Sequence, residues 1–141
     1  MFITDTATIE TLTTAYVNDA LRAAICREIT STRTDRDEAK IWRRETGSHQ
    51  AKSITRIDTI NTIDRTLAVD ITGAYHTIED EAWAAVRAHF GSEGHPADII
   101  KALGEDYGDV FDVALDGVED KAREQATKIA ARRAAEQEAT R

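Results

Sequence analysis

The chain has 141 residues, of which 41% are apolar and 31% charged, and a formal net charge of −8. That length holds one domain with a real core and is short for two. The single cysteine, Cys26, excludes an internal disulfide and a cysteine-rich zinc site, and no apolar run approaches the roughly 20 residues that span a bilayer.

The opening MFITDTATIE has neither the basic nor the apolar region of a signal peptide, so a cytoplasmic protein without a membrane anchor is expected. Residues 5–30 carry Ile9, Leu12, Tyr16, Ala20, Leu21, Ala24, Ile25 and Ile29 at three- and four-residue steps, the helix period. Thr4 or Asp5 is placed to cap its start. STRTDRDEAK follows as a polar junction. A second helix is expected from about Asp35 through Ile41 and Trp42, with a break at Gly47 and Ser48.

Residues 52–90 hold the clearest pattern. Ile57, Ile60, Ile63, Leu67, Ile71, Ala74, Tyr75, Ile78, Ala82, Ala85 and Val86 fall on one stripe, which predicts a single long helix of about 58 Å. Gly73, or a capping box made by Thr77 and Asp80, marks where it would divide into two. Gly91 to His95 reads as a turn, and Pro96 suits the first position of the next helix. From there Ile99, Ile100, Leu103, Tyr107, Val110, Phe111, Ala114, Leu115, Val118 and Ala122 share a face. The tail 121–141 is rich in helix formers but weakly apolar, a helix expected to fray or to dock on a partner.

The architecture these elements define is one all-α domain over 1–141. It is an antiparallel bundle of three to five helices around a long central helix at about 52–90, with coiled-coil-like packing as a variant. So long a stripe in so short a chain also predicts a homo-oligomer, a second copy supplying the missing apolar surface.

Charge is unevenly spread: residues 1–65 are neutral overall, 66–120 carry a net −11, and 121–141 carry +3. The acids concentrate in GEDYGDVFDVALDGVED, residues 104–120. On a helical wheel Glu105, Asp106, Asp109, Asp112, Asp116, Glu119 and Asp120 take one arc, opposite Tyr107, Val110, Phe111, Ala114, Leu115 and Val118. Such a row is a solvated face in the plainest case. It is also a surface that repels nucleic acid and attracts a basic protein.

The segment Gly104 to Leu115 resembles the second metal motif of the all-α nucleoside-triphosphate pyrophosphohydrolases of the MazG kind, with Asp106 and Asp109 as the matching acids. The family's first motif, Glu-x-x-Glu, finds its counterpart at Glu79 to Val86, with Glu81 in place and Ala84 where the second glutamate belongs. The resemblance covers about a quarter of the chain. It implies Mg²⁺ held by Glu81, Asp106 and Asp109 and water-driven cleavage of a nucleotide, with one acid missing from the set that such chemistry uses.

The region Arg33–Arg56, with Trp42 beside Arg43 and Arg44 and with His49 and Lys52, is the one basic cluster with an aromatic. It is diluted by Asp35, Asp37, Glu38 and Glu45. His49, His76, His89 and His95 make no metal-ligand spacing, and His89 falls on the apolar stripe as a partly buried residue. Cys26 reads as a small core residue, and Arg22 and Arg27 beside it are the reason to ask whether its thiol is activated. No intact catalytic or nucleotide-cradling motif is present, so no cofactor is expected. The leading reading is a non-enzymatic interaction protein, acting through the acidic face of 105–120 or the apolar stripe. An accessory or inhibitor-like role of the phage type belongs to the same reading. The first alternative is the Mg²⁺-dependent pyrophosphohydrolase. The second is a nucleic-acid binder working through Arg33–Arg56.

Overall fold

The computed structural model describes residues 3–32, 36–91, 93–103 and 108–139, without the side chains of 29–32, 36–46, 96, 97 and 101. Five helices make up the described chain: α1 (Thr6–Thr32), α2 (Arg36–Ile63), α3 (Arg65–His89), α4 (Pro96–Leu103) and α5 (Gly108–Ala139). The all-α bundle expected from the sequence is the fold, and no described helix is long and apolar enough to cross a membrane.

Asp5 starts α1, its Oδ2 accepting from the Thr8 N–H at 2.9 Å and the Thr8 hydroxyl at 2.6 Å. The centre is shared by α1 and α3, each of which touches the other four helices, rather than held by one 52–90 helix. α1 therefore buries residues on several sides, among them Ile9, Val17, Leu21, Ile25 and Cys26. α2 runs back along it, with Arg56 on Asp19, and α3 runs forward again. α5 returns antiparallel to both, pairing Glu10 with Arg123, Asp70 with Arg132, and Glu81 with Lys121.

The predicted 52–90 helix is two helices, and the division is at Asp64 rather than at Gly73 or Thr77. Asp64 leaves helical geometry for φ −158° and ψ 106°, and its Oδ1 accepts from the N–H groups of Thr66 at 3.0 Å and Leu67 at 3.1 Å. One extended residue with a capping carboxylate therefore ends α2 and starts α3. Gly47 and Gly73, expected as breaks, lie inside α2 and α3 with open space around them. An exposed helical glycine costs only about 1 kcal/mol, which flanking packing overrides. Thr77 donates back to the Gly73 carbonyl at 3.1 Å instead of capping. Thr11, Thr55, Thr59, Thr62 and Thr72 bond their i−4 carbonyls in the same way, which gives many of the threonines a local role on helix faces.

The turn at Gly91 (φ +64°) and the start of α4 at Pro96 are as the sequence predicts. The stripe packs inside its own chain: Ile60, Leu67, Ile71, Ala74, Tyr75, Ile78, Ala82 and Val86 are buried, and Ile63 is its exposed member.

The core has two parts. A larger one joins Leu21, Ile25, Ile78, Val86, Ile100, Val110 and Val118. A smaller one, at the α2–α3 elbow, joins Ile9, Ile60, Leu67, Ile71, Ala126, Ile129 and Ala130. The tail thus continues α5 to Ala139 and docks on α1 and α3 of the same chain through Ala126, Ile129 and Ala130.

Candidate interaction surface

On α5 the buried positions Val110, Ala114, Val118, Ala122 and Ala126 recur every four residues and turn the acids outward. Asp109, Asp112, Asp116, Glu119 and Asp120 are exposed over about 16 Å of helix. Glu119 and Asp120 are tied to Arg123, at 2.7 and 3.6 Å. Asp109, Asp112 and Asp116 have no ion pair among the described residues, whereas the cations further along α5 all have one. Lys121 meets Glu81 at 3.7 Å, Lys128 meets Glu124 at 3.3 Å, Arg132 meets Asp70 at 3.3 Å, and Arg133 meets Asp64 at 2.7 Å. Asp109 gains from the positive end of the helix dipole. That effect fades after the first turn, so Asp112 and Asp116 face water without an ion pair among the described residues. Glu105 and Asp106 lie outside the described residues.

Of the acids expected to share Mg²⁺, the two that the structure describes, Glu81 and Asp109, are not brought together. Asp106 lies outside the described residues. Glu81 sits against Lys121, and Asp109 is twelve residues earlier on α5, about 18 Å along its axis. Ligands of one Mg²⁺ all lie within about 2.1 Å of the ion, so Glu81 and Asp109 do not coordinate the same one. Among the described residues no group of three or more His, Cys, Asp or Glu side chains is arranged to hold a metal ion.

Of the basic cluster, His49, Lys52 and Arg56 have described side chains. Arg33 and Asp35 lie outside the described residues, as do the side chains of Trp42, Arg43 and Arg44. His49 and Lys52 are exposed, and Arg56 is committed to Asp19, with Nε and a terminal nitrogen both 2.8 Å from Oδ1. His89 is exposed, not part of the core, because the apolar stripe turns away from it in the last turn of α3, where it stands edge-on to Phe90. Cys26 is buried, and burial pushes its thiol up to about 11 against the smaller opposing pull of Arg22. It is a core residue and not an activated nucleophile.

Two polar nodes were not read from the sequence. Asp19 is buried under Arg56, and Arg133 is buried at 0% exposure beside Asp64 and Ile3. The signal for the second was present, since Arg133 lies four residues after Ile129 and so continues the buried register of α5. A groove of about 450 Å³ runs between α3 and α5, lined by Val69, Gly73, Thr77, Gln125, Ile129 and Arg132 among others.

The class this geometry defines is an all-α helical bundle with a charge-segregated fifth helix. Comparison with protein-family models, curated proteins and solved structures finds no match for the chain.

Proposed function

We propose that the chain is a non-enzymatic helical interaction protein that holds a basic protein partner on the acidic face of α5. The observation that carries this reading is the contrast along that helix. Asp109, Asp112 and Asp116 are exposed without an ion pair among the described residues, while the cations of its second half are matched to carboxylates. A rigid rod with an uncompensated acidic row steers a cationic partner and sets its register. The apolar stripe has no part in this reading, because α1 and α5 already cover it, and a homo-oligomer would have to use other surface. The setting proposed is the cytoplasm, where the lone buried cysteine needs no disulfide partner.

The test uses a fluorescent basic amphipathic helical peptide and anisotropy at two salt concentrations. Replacing Asp109, Asp112 and Asp116 by Lys is expected to abolish binding and leave the melting temperature within a few degrees. A control variant neutralises Asp80, Glu93 and Asp98, which are exposed elsewhere. If the control weakens binding as much as the α5 variant does, the acidic face is not a site and the reading fails.

A further inference from the structure

We propose that Asp64 and Arg133 form a charge-operated latch that holds both ends of the chain to the α2–α3 elbow. Neutralising Asp64 releases the two ends together while the rest of the bundle stays folded.

The two carboxylate oxygens divide the work. Oδ1 accepts the N–H groups of Thr66 and Leu67 and so caps α3. Oδ2 accepts from Arg133 at 2.7 Å and from the Ile3 N–H at 3.4 Å. Arg133 in turn donates its Nε–H to the Ile3 carbonyl at 3.0 Å, across 130 positions of sequence. The Ile3 peptide is therefore gripped at both of its polar groups, by a carboxylate at the elbow and a guanidinium from α5.

The other charges at the node are few. Asp70 of α3 lies 3.7 Å from Arg133 and 3.3 Å from Arg132, and no ion pair to the node comes from α1 or α2 among the described residues. Asp64 is thus the near counter-charge of a fully buried cation. Its side chain is itself 7% exposed. Removing Asp64 takes away the shorter of the two carboxylate contacts and leaves Asp70 at 3.7 Å, and under-compensating a buried cation is far more costly than the pair's net contribution.

Release stays local because of what lies around the node. Beyond it, Ala134 to Ala139 are exposed. Before it, α5 is held by Ala126, Ile129 and Ala130 in the smaller core, with two alanines among three contacts. The larger core, with Leu21, Ile25, Ile78, Val86 and Val110, does not depend on the node. Regions with little buried apolar surface open first. Opening uncovers Leu67 and Ile71, both fully buried on one face of α3, so that apolar patch exists in the open state alone.

Burial works against the charge on Asp64. The N–H groups of Leu67 and Ile3, the Arg133 guanidinium and the Thr66 N–H outweigh it and hold the carboxyl below its ordinary range. The latch is therefore closed at neutral pH and opens as pH falls through that lowered value.

Native-state hydrogen exchange by mass spectrometry, corrected for intrinsic rates, tests this on the full chain. In Asp64→Asn at pH 7, exchange in 3–9 and 126–139 is expected to rise about tenfold or more, with 74–86 and 110–122 unchanged. In the wild type, exchange in the same segments is expected to rise as pH falls from 7 through the lowered value of Asp64, and the variant to show no further response there. Arg133→Met fills the buried slot without a charge, and its end segments are expected to lose their response to acid. Loss of protection confined to the first turn of α3, an equal rise in every segment, or an acid response that persists in either variant overturns the latch. If Asp64→Asn does not fold, the acid response of the wild type against Arg133→Met decides alone.

Discussion

Gly117 faces Ala85 across the α3–α5 seam so closely that a Cβ built on Gly117 would stand 2.5 Å from the Ala85 Cβ. No pair of side-chain carbons tolerates that distance, so the two helices rest at their present separation because residue 117 has no side chain. Around this point the seam is made of small residues, with Ala82 on α3 and Ala114 and Ala122 on α5. Gly117→Ala is expected to destabilise the fold by about 1–3 kcal/mol, the overpacking cost exceeding the gain in helix propensity. Gly73→Ala has open space for its methyl and is expected to stabilise by about 0.5–1 kcal/mol. Opposite signs in urea unfolding are the check. Two stabilising substitutions would mean that the helices approach less closely than this.

Asp19 and Arg56 clamp α2 onto α1. The carboxylate is buried, while the guanidinium side chain is 55% exposed. Arg56→Ala leaves Asp19 buried without its cation and is expected to cost about 1–2 kcal/mol, discounted for the exposed partner. Arg56→Ala combined with Asp19→Asn removes the stranded charge and is expected to recover part of the loss. A double-mutant cycle in urea measures the coupling, and a value near zero would sink the clamp.

These cases show what a sequence carries locally. The Asp5 cap, the turn at Gly91 and the start at Pro96 are legible because each acts on backbone groups within four residues. The buried face from Leu67 to Val86 is legible because helical period records which side is covered. The break at Asp64 is not. Asp64 sits in a polar run that fits the helix period, and a single extended residue leaves the flanking periodicity nearly intact. Gly47 and Gly73 attract attention as breakers, yet exposed glycines cost too little to end a packed helix. The acidic face is legible because exposure follows from the opposite apolar arc. The pairing of Arg133 with Asp64 and Ile3 joins residues 69 and 130 positions apart, and such pairing leaves only the register of Arg133 on α5 as a trace. Glu81 and Asp109 show the converse, since a plausible spacing in sequence says nothing about the level at which two antiparallel helices meet.

Ile129 is 2% exposed, on a stretch of helix otherwise made of alanine and charged or polar residues. If α5 docks to its end as described, Ile129→Ala opens a cavity in the smaller core and costs about 2–4 kcal/mol. Ala131→Ser, on the exposed side two residues on, is expected to change stability by less than about 0.5 kcal/mol. Equal and negligible effects in thermal unfolding would show that residues 121–139 do not contribute to the fold.

Alkaline pH gives a separate handle on the core. Cys26 is 1% exposed, and burial raises its thiol to about 11 from an ordinary value of 9.0. Burial, then the charge of Glu79, moves the Tyr75 hydroxyl in the same direction. For an acid whose folded pKa is raised, the stabilisation is complete below the unfolded value. It is lost as pH rises from there through the folded value, because the unfolded chain gives up the proton first. Stability is therefore expected to fall between about pH 9 and pH 11, with Cys26 supplying about 1–3 kcal/mol of the change. Cys26→Ala is expected to flatten that part of the profile. In the wild type at pH 8.5, iodoacetamide is expected to label the thiol only as fast as the core around Leu21, Ile25 and Val86 opens, so added urea accelerates labelling in step with unfolding. Fast labelling of the native protein without urea would mean that the thiol is reached from the surface and that α1 is not covered on that side.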